Sequence, residues 1–286
     1  MRYEKITVDT SIGPVGAVIG GVDLSHELSE QVIQEIHHAW LQHHVVFFRN
    51  QPLSPQQQAD FSACFGELDV YPFMQPVDGH PNVIPIIKEA SAKLNFGGAW
   101  HTDTSYKQLP PKATVLYALE VPEKGGDTLF ADATFAYESL SMGLRACLEG
   151  LTGIYSAKMV HGIDGGYNQV AAKKGLGKAY GGSAEFAELE VEHPLIRTHA
   201  ETGRKSIYCS KPHTHRIKGW TREESLALFG FLTQHLTQQT FVTRFKWAPG
   251  SLAMWDNRCV FHHALNDYQG KRRHMNRVVV KGEKPV

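Results

Sequence analysis

The order of apolar and polar positions divides the chain into two unequal parts. Residues 13–24 (GPVGAVIGGVDL) alternate small and β-branched residues and predict a strand and turn. Residues 28–41 (LSEQVIQEIHHAWL) carry apolar residues at helical spacing. The short run at 45–48 (VVFF) reads as a buried strand, and Ser54 reads as the N-cap of a helix reaching Phe65. From Trp100 onward the pattern turns to β. The runs ATVLYALEV, DTLFA, SIYCS, SLAMWD and RVVVKG are separated by Gly, Pro and Asp turns. Such spacing predicts a mainly β fold with flanking helices, built on a jelly-roll or related sandwich. Helices are expected at 134–151 and at 221–236, the latter opened by Thr221 with Glu223 and Glu224 in its first turn.

No repeat or linker divides residues 1–286, so one domain is expected. Residues 157–190, rich in Gly and Lys, read either as a lid over a site or as a surface insertion.

Composition removes several classes. The chain has 286 residues, 42% hydrophobic and 20% charged, with zero formal net charge. No basic surface argues for nucleic acid or anionic lipid, so any anion site must be local. No run approaches the ~18 apolar residues of a membrane helix, and the N-terminal stretch shows no signal-peptide pattern. A cytoplasmic location is expected. The four cysteines form no CxxC pair and read as free thiols of a reducing compartment. The 16 histidines make metal chemistry worth seeking.

The segment Trp100-His101-Thr102-Asp103-Thr104 is the most informative. On a strand, His101 and Asp103 would share one face and offer an imidazole and a carboxylate to a metal. Two histidines and one carboxylate leave positions open for substrate and oxygen. A lone His-x-Asp is a weak signal, because a strand histidine is more often a hydrogen-bonded core or surface residue. Farther on, Arg273 and Arg277 share parity on one strand, and guanidinium forks suit carboxylates or sulfonates. Their bland reading is an exposed basic strand. His262 and His263 are adjacent, so alternation lets only one face a metal. Trp255 is expected in the core, with Asp256 and Asn257 satisfying backbone groups at a turn.

Taken together, WHTD at 100–103, GGDTLFAD at 125–132, WDNRCVFH at 255–262 and DYQGKRRHMNRVVVKG at 267–282 resemble the taurine dioxygenase family of iron(II)/2-oxoglutarate enzymes. GAVIGGVDL and FGEL extend the resemblance over nearly the whole chain. It implies a double-stranded β-helix core and His101, Asp103 and His262 as iron(II) ligands. It further implies Thr128 and Arg273 as contacts of 2-oxoglutarate, and Arg277 facing the anionic group of the prime substrate. O2 would be the second co-substrate, succinate and carbon dioxide the co-products, and a homodimer or homotetramer the assembly.

Four positions depart from the taurine pattern. Tyr71 and Met74 stand where that pattern has a histidine and a tyrosine, Gly97 replaces an asparagine, and His213 replaces an aromatic residue. Tyr71, Met74, Thr104 and His213 are therefore the expected substrate contacts beside Arg277, with a loop role for His213 as its alternative. The expected substrate is a small organic anion other than taurine: another sulfonate, an alkyl sulfate, a phosphonate, or an aryloxy or other carboxylate. Competing readings are a zinc hydrolase on the same ligands and a non-catalytic anion-binding module. The first lacks an HExxH-type base, and the second usually loses a ligand that is retained here. Asp103 argues against a halogenase, and desaturation stays open.

Overall fold

The computed structural model describes residues 3–71, 74–161 and 187–286. Three sheets carry most of the architecture. Seven strands form the first: β1 (Thr7–Asp9), β2 (Ala17–Gly20), β3 (Val45–Phe48), β13 (Leu252–Asp256), β5 (Ala113–Glu120), β15 (Arg273–Val280) and β4 (Ile84–Lys88), in that spatial order. The second sheet has the order β12 (Val242–Phe245), β6 (Thr128–Asp132), β14 (Val260–Ala264). A third joins β11 (Thr214–Ile217), β7 (Thr152–Tyr155) and β8 (Val191–Pro194), and β9 (Ile196–Thr198) pairs with β10 (Lys205–Ile207). The pairing is antiparallel except between β2 and β3. This is the jelly-roll arrangement expected from the strand-rich sequence.

The continuous apolar runs have a simple origin: the first sheet is buried on both faces. Side chains of a strand alternate between faces. On β3, Val45 and Phe47 join the core between the two sheets, while Val46 and Phe48 join the core beneath the helices. On β13, Ala253 and Trp255 point inward and Leu252 and Met254 outward. Between the sheets, Phe47 stacks on Phe245 at 4.1 Å and meets Phe130 edge-on at 5.5 Å. Each fully buried aromatic of this kind contributes roughly 1.5–3 kcal/mol of transfer free energy.

Helices cover the outer faces. Helix α1 (Glu30–His43) starts at Ser29, whose hydroxyl accepts the Val32 N–H, and ends at His44 in the left-handed region. It buries Ile36, Ala39 and Trp40 against the first sheet. Helix α2 (Pro55–Ala63) opens with the Ser54–Gln57 capping box and stops two residues short of the expected Phe65. The expected 134–151 helix is two: α3 (Ala133–Glu138) and α4 (Met142–Leu148). Ser141 caps α4 with its side chain, so a second helix start interrupts the first. Helix α5 (Lys158–His161) precedes residues outside the description, and α6 (Arg222–Leu236) starts at Thr221 with a capping box to Glu224. Of the expected lid at 157–190, residues 162–186 lie outside the described residues. Within SIYCS, only Ser206 and Ile207 belong to a ladder.

Candidate active site

His101 and His262 meet as a backbone bridge. The His101 N–H donates to the His262 carbonyl at 3.1 Å, and the His262 N–H returns the bond at 2.8 Å. Strand β14 sets the direction of His262. Phe261 turns outward into the core under α3 and α6, so Val260 and His262 turn inward. His263 is accordingly half-buried on the other side, against Trp100.

Asp103 does not reach the site along a strand, as expected from His-x-Asp alternation. The bridge at His101 passes at once into a turn, closed by the Lys107 N–H on the Thr104 carbonyl at 3.0 Å. Thr104 takes φ of 42° there. The turn brings Asp103 Oδ1 to 3.6 Å from His101 Nε2 and 3.9 Å from His262 Nε2. The three ligand-type atoms lie within 4.8 Å of one another. Two imidazoles and one carboxylate of this compactness form the facial donor set that suits a first-row dication with open positions.

The proton directions around these donors are fixed by the chemistry of their partners. His101 Nδ1 lies 2.7 Å from the Ala99 carbonyl, which can only accept, so Nδ1 carries the proton and the Nε2 lone pair could serve a metal. The Trp255 indole N–H, a donor only, bonds Asn257 Oδ1 at 2.9 Å. That orients the amide, whose Nδ2 donates to Thr114 Oγ1 at 2.8 Å. The Thr114 hydroxyl is thereby directed onto Asp103 Oδ2 at 2.7 Å. Asn257 thus does more than satisfy a turn: it sets the polarity of the bond that holds Asp103.

Electrostatics suit metal binding. Burial drives the His262 imidazole down to about 3, reinforced by His101, so it is neutral at neutral pH. Burial pushes Asp103 upward. His101, His262 and Arg277 overcome this and hold its carboxyl far below the usual range.

Beyond the donors, a cleft is lined by apolar Ile86, Phe96 and Leu116 and by Thr128, Arg273 and Arg277. Arg273 and Arg277 are 5% and 4% exposed, which removes the reading of an exposed basic strand. Nε and Nη2 of both have no hydrogen-bond partner among the described residues. Desolvation lowers the Arg273 pKa from its ordinary value. Burying cations without such partners costs several kcal/mol per ion, so this cleft is built for anions. The Arg277 guanidinium lies 4.4 Å over the Tyr71 ring and 5.6 Å from that of Phe96. Arg273 lies 5.8 Å from the Trp247 ring. Trp247 donates its indole N–H to Thr128 Oγ1 at 2.9 Å, which leaves the Thr128 proton free to serve another acceptor.

The remaining expected contacts, Thr104, Met74 and His213, are not among the residues that line this cleft. Thr104 is buried at the ligand turn. Met74 is partly buried against the core between the sheets. His213 is buried, with its ring 6.2 Å from that of His101 and Nδ1 3.0 Å from the Ser105 hydroxyl. Gly97 has φ of 76°, and a Cβ there would stand 3.3 Å from His101 Cε1. Sequence reasoning missed Thr114 and Trp247. Neither lies in a motif, and only the fold brings them to Asp103 and Thr128.

A second donor set, His199, Asp256 and Cys259, is buried nearby. Its carboxylate is already engaged by His199 Nε2 at 2.9 Å and by Arg258 Nη2 at 2.7 Å, a salt-bridged arrangement of the core.

Comparison with known proteins agrees with this geometry. Residues 4–279 match the family model described as taurine catabolism dioxygenase TauD, TfdA family. The chain is 33% identical to an alkylsulfatase of Acinetobacter baylyi, covering 99% of this chain and 86% of the relative. It is 32% identical to an alpha-ketoglutarate-dependent sulfate ester dioxygenase of Pseudomonas putida, covering 99% and 91%. Among solved structures, a taurine dioxygenase from Burkholderia xenovorans superposes with a TM-score of 0.82 at 35% identity, over 99% of this chain and 91% of that one.

Proposed function

The chain belongs to the TauD/TfdA family of taurine catabolism dioxygenases, and on that premise we propose that its cleft oxidises a sulfate ester or sulfonate carrying an apolar tail. The protein is an iron(II)- and 2-oxoglutarate-dependent dioxygenase that uses O2 and acts on a small organic anion. Neither the zinc-hydrolase nor the binding-module alternative fits its relatives.

In this reading His101, Asp103 and His262 hold iron(II), and Thr128 and Arg273 take 2-oxoglutarate. Iron(II) held there would let O2 oxidise a substrate carbon, with 2-oxoglutarate as the co-reductant: one oxygen atom goes to the new hydroxyl and the other to succinate, and carbon dioxide is released. The chain's residues bind and aim. Arg277 grips the anion, Tyr71 supports its guanidinium from below, and Thr104, Met74 and His213 border the substrate. Positioning then decides which carbon reacts. If that carbon bears the ester oxygen or the sulfonate, the hydroxylated product collapses to a carbonyl compound and releases sulfate or sulfite. A phosphonate, or an aryloxy or other carboxylate, is the alternative anion.

The observation that carries the proposal is Arg277: a guanidinium 4% exposed, with two nitrogens unpartnered among the described residues, at the edge of an apolar cleft. The test is succinate formation by protein loaded anaerobically with iron(II) and 2-oxoglutarate, then given oxygen and a panel of these anions, beside His262→Ala. Stimulation by sulfate esters or sulfonates, lost in the variant, is expected. Stimulation by carboxylates alone overturns the substrate assignment. No succinate above the variant, with iron bound, overturns the site.

We also propose that residues 1–286 act as one dioxygenase domain, assembled as a homodimer or homotetramer in the cytoplasm, without nucleic-acid or membrane partners. The family match along 4–279, the zero net charge and the lack of a membrane-length apolar helix among the described residues support this. Light scattering on the purified protein tests the assembly.

A further inference from the structure

Strand β4 carries a residue that none of these roles uses. Ile84, Ile86 and Lys88 share one face of the strand, and Ile86 lines the cleft. The ladder to β15 pairs Ile84 with Arg277, Ile86 with Met275 and Lys88 with Arg273. Directly opposed residues of antiparallel strands project to the same side. Lys88 therefore stands beside Arg273 with its side chain turned inward, and it is 4% exposed.

Its ammonium has no hydrogen-bond partner among the described residues. It lies 4.4 Å over the ring of Tyr268, which also feels the charge of Arg273. A cation–π contact recovers only part of the free energy lost when an ammonium is buried. The nearest acid to influence Arg273, Asp127, is already held by Arg244 at 2.7 Å. Two buried cations thus stand side by side, Arg273 in the lining of the cleft and Lys88 paired with it from β4, and among the described residues no carboxylate is paired with either.

We propose that Lys88 is a second cationic anchor for the distal carboxylate of 2-oxoglutarate, acting beside Arg273. This rests on the assignment of Arg273 to that carboxylate. Two cations at the far end of the co-substrate bind a 2-oxo acid with a charged tail and reject one with a neutral tail. Lys88 is then a determinant of co-substrate choice.

The test is calorimetric titration of the iron(II)-loaded protein under nitrogen with 2-oxoglutarate and with 2-oxovalerate, which has a methyl group in place of the distal carboxylate. Lys88→Met is expected to weaken 2-oxoglutarate binding roughly tenfold to a hundredfold and to leave 2-oxovalerate unchanged. Lys88→Arg should recover most of the loss. Equal weakening of both acids, or none for 2-oxoglutarate, overturns the proposal. Should circular dichroism show Lys88→Met unfolded, Lys88→Gln, which keeps a polar end, carries the same comparison. Arg273→Met is titrated in parallel. If it abolishes the preference for 2-oxoglutarate and Lys88→Met does not, the Lys88 proposal alone falls. If neither variant alters the preference, the assignment of Arg273 falls with it.

Discussion

Asp103 Oδ1 lies 3.7 Å from Nη1 of Arg277. One carboxylate therefore faces both the metal position and the guanidinium assigned to the substrate. A dication drawing on Asp103 weakens its hold on Arg277 and leaves that cation more available to an incoming anion. Arg277→Met should keep iron, measured by metal analysis, and keep slow substrate-independent succinate formation. Its kcat/KM for the stimulating anion should fall by about a hundredfold or more, the cost of losing one partner of a buried charge pair.

Trp247 sets the direction of the Thr128 hydroxyl, so Trp247→Phe should act through the co-substrate. The KM for 2-oxoglutarate is expected to rise roughly fivefold to tenfold, near the ~1 kcal/mol of one neutral hydrogen bond. The dependence on the prime substrate should not move. Steady-state kinetics varying each in turn separate the two.

Gly97→Ala meets two obstacles, a left-handed backbone and the edge of the His101 ring 3.3 Å from the new methyl. A loss of about 1–2 kcal/mol in stability is expected by denaturant titration. Weaker iron retention should accompany it, because the neighbour that must give way is His101, one of the proposed iron ligands.

The network Asp256–Arg258–Glu201–His37 fastens the turn after β13 to α1. The hydrogen bond from His37, followed by that from Arg258, holds Glu201 down to about 2 against the opposing effect of burial. A carboxyl lowered on folding stabilises the protein fully above its unfolded pKa, here 4.5, and loses that contribution as pH falls toward 2. Glu201→Gln should therefore be less stable at pH 7 and show a flatter fall in melting temperature between those limits.

Much of this was legible in the sequence because it is local. Ser54 and Thr221 announce their helices through hydroxyls that cap within three residues. The parity of Arg273 with Arg277 follows from one strand. What escaped was long-range. Thr114 and Asn257 hold Asp103 from β5 and from the turn after β13, and no period in the sequence links them. His101 and Asp103 converge through a bridge and a turn, although alternation along a strand predicts the same meeting. Nothing near Lys88 in the sequence marks it, because its burial depends on which strand lies opposite.

The two-way backbone bridge between His101 and His262 has a consequence for metal choice. These donors are preorganised by the polypeptide, so an arriving ion has little ordering to do. A rigid set of two imidazoles and a carboxylate accepts neighbouring first-row dications as well as iron(II), and intrinsic affinity along that row rises toward copper. Which ion fills the site is then settled by what its surroundings supply, and cobalt, nickel or zinc should compete with iron for the same three donors.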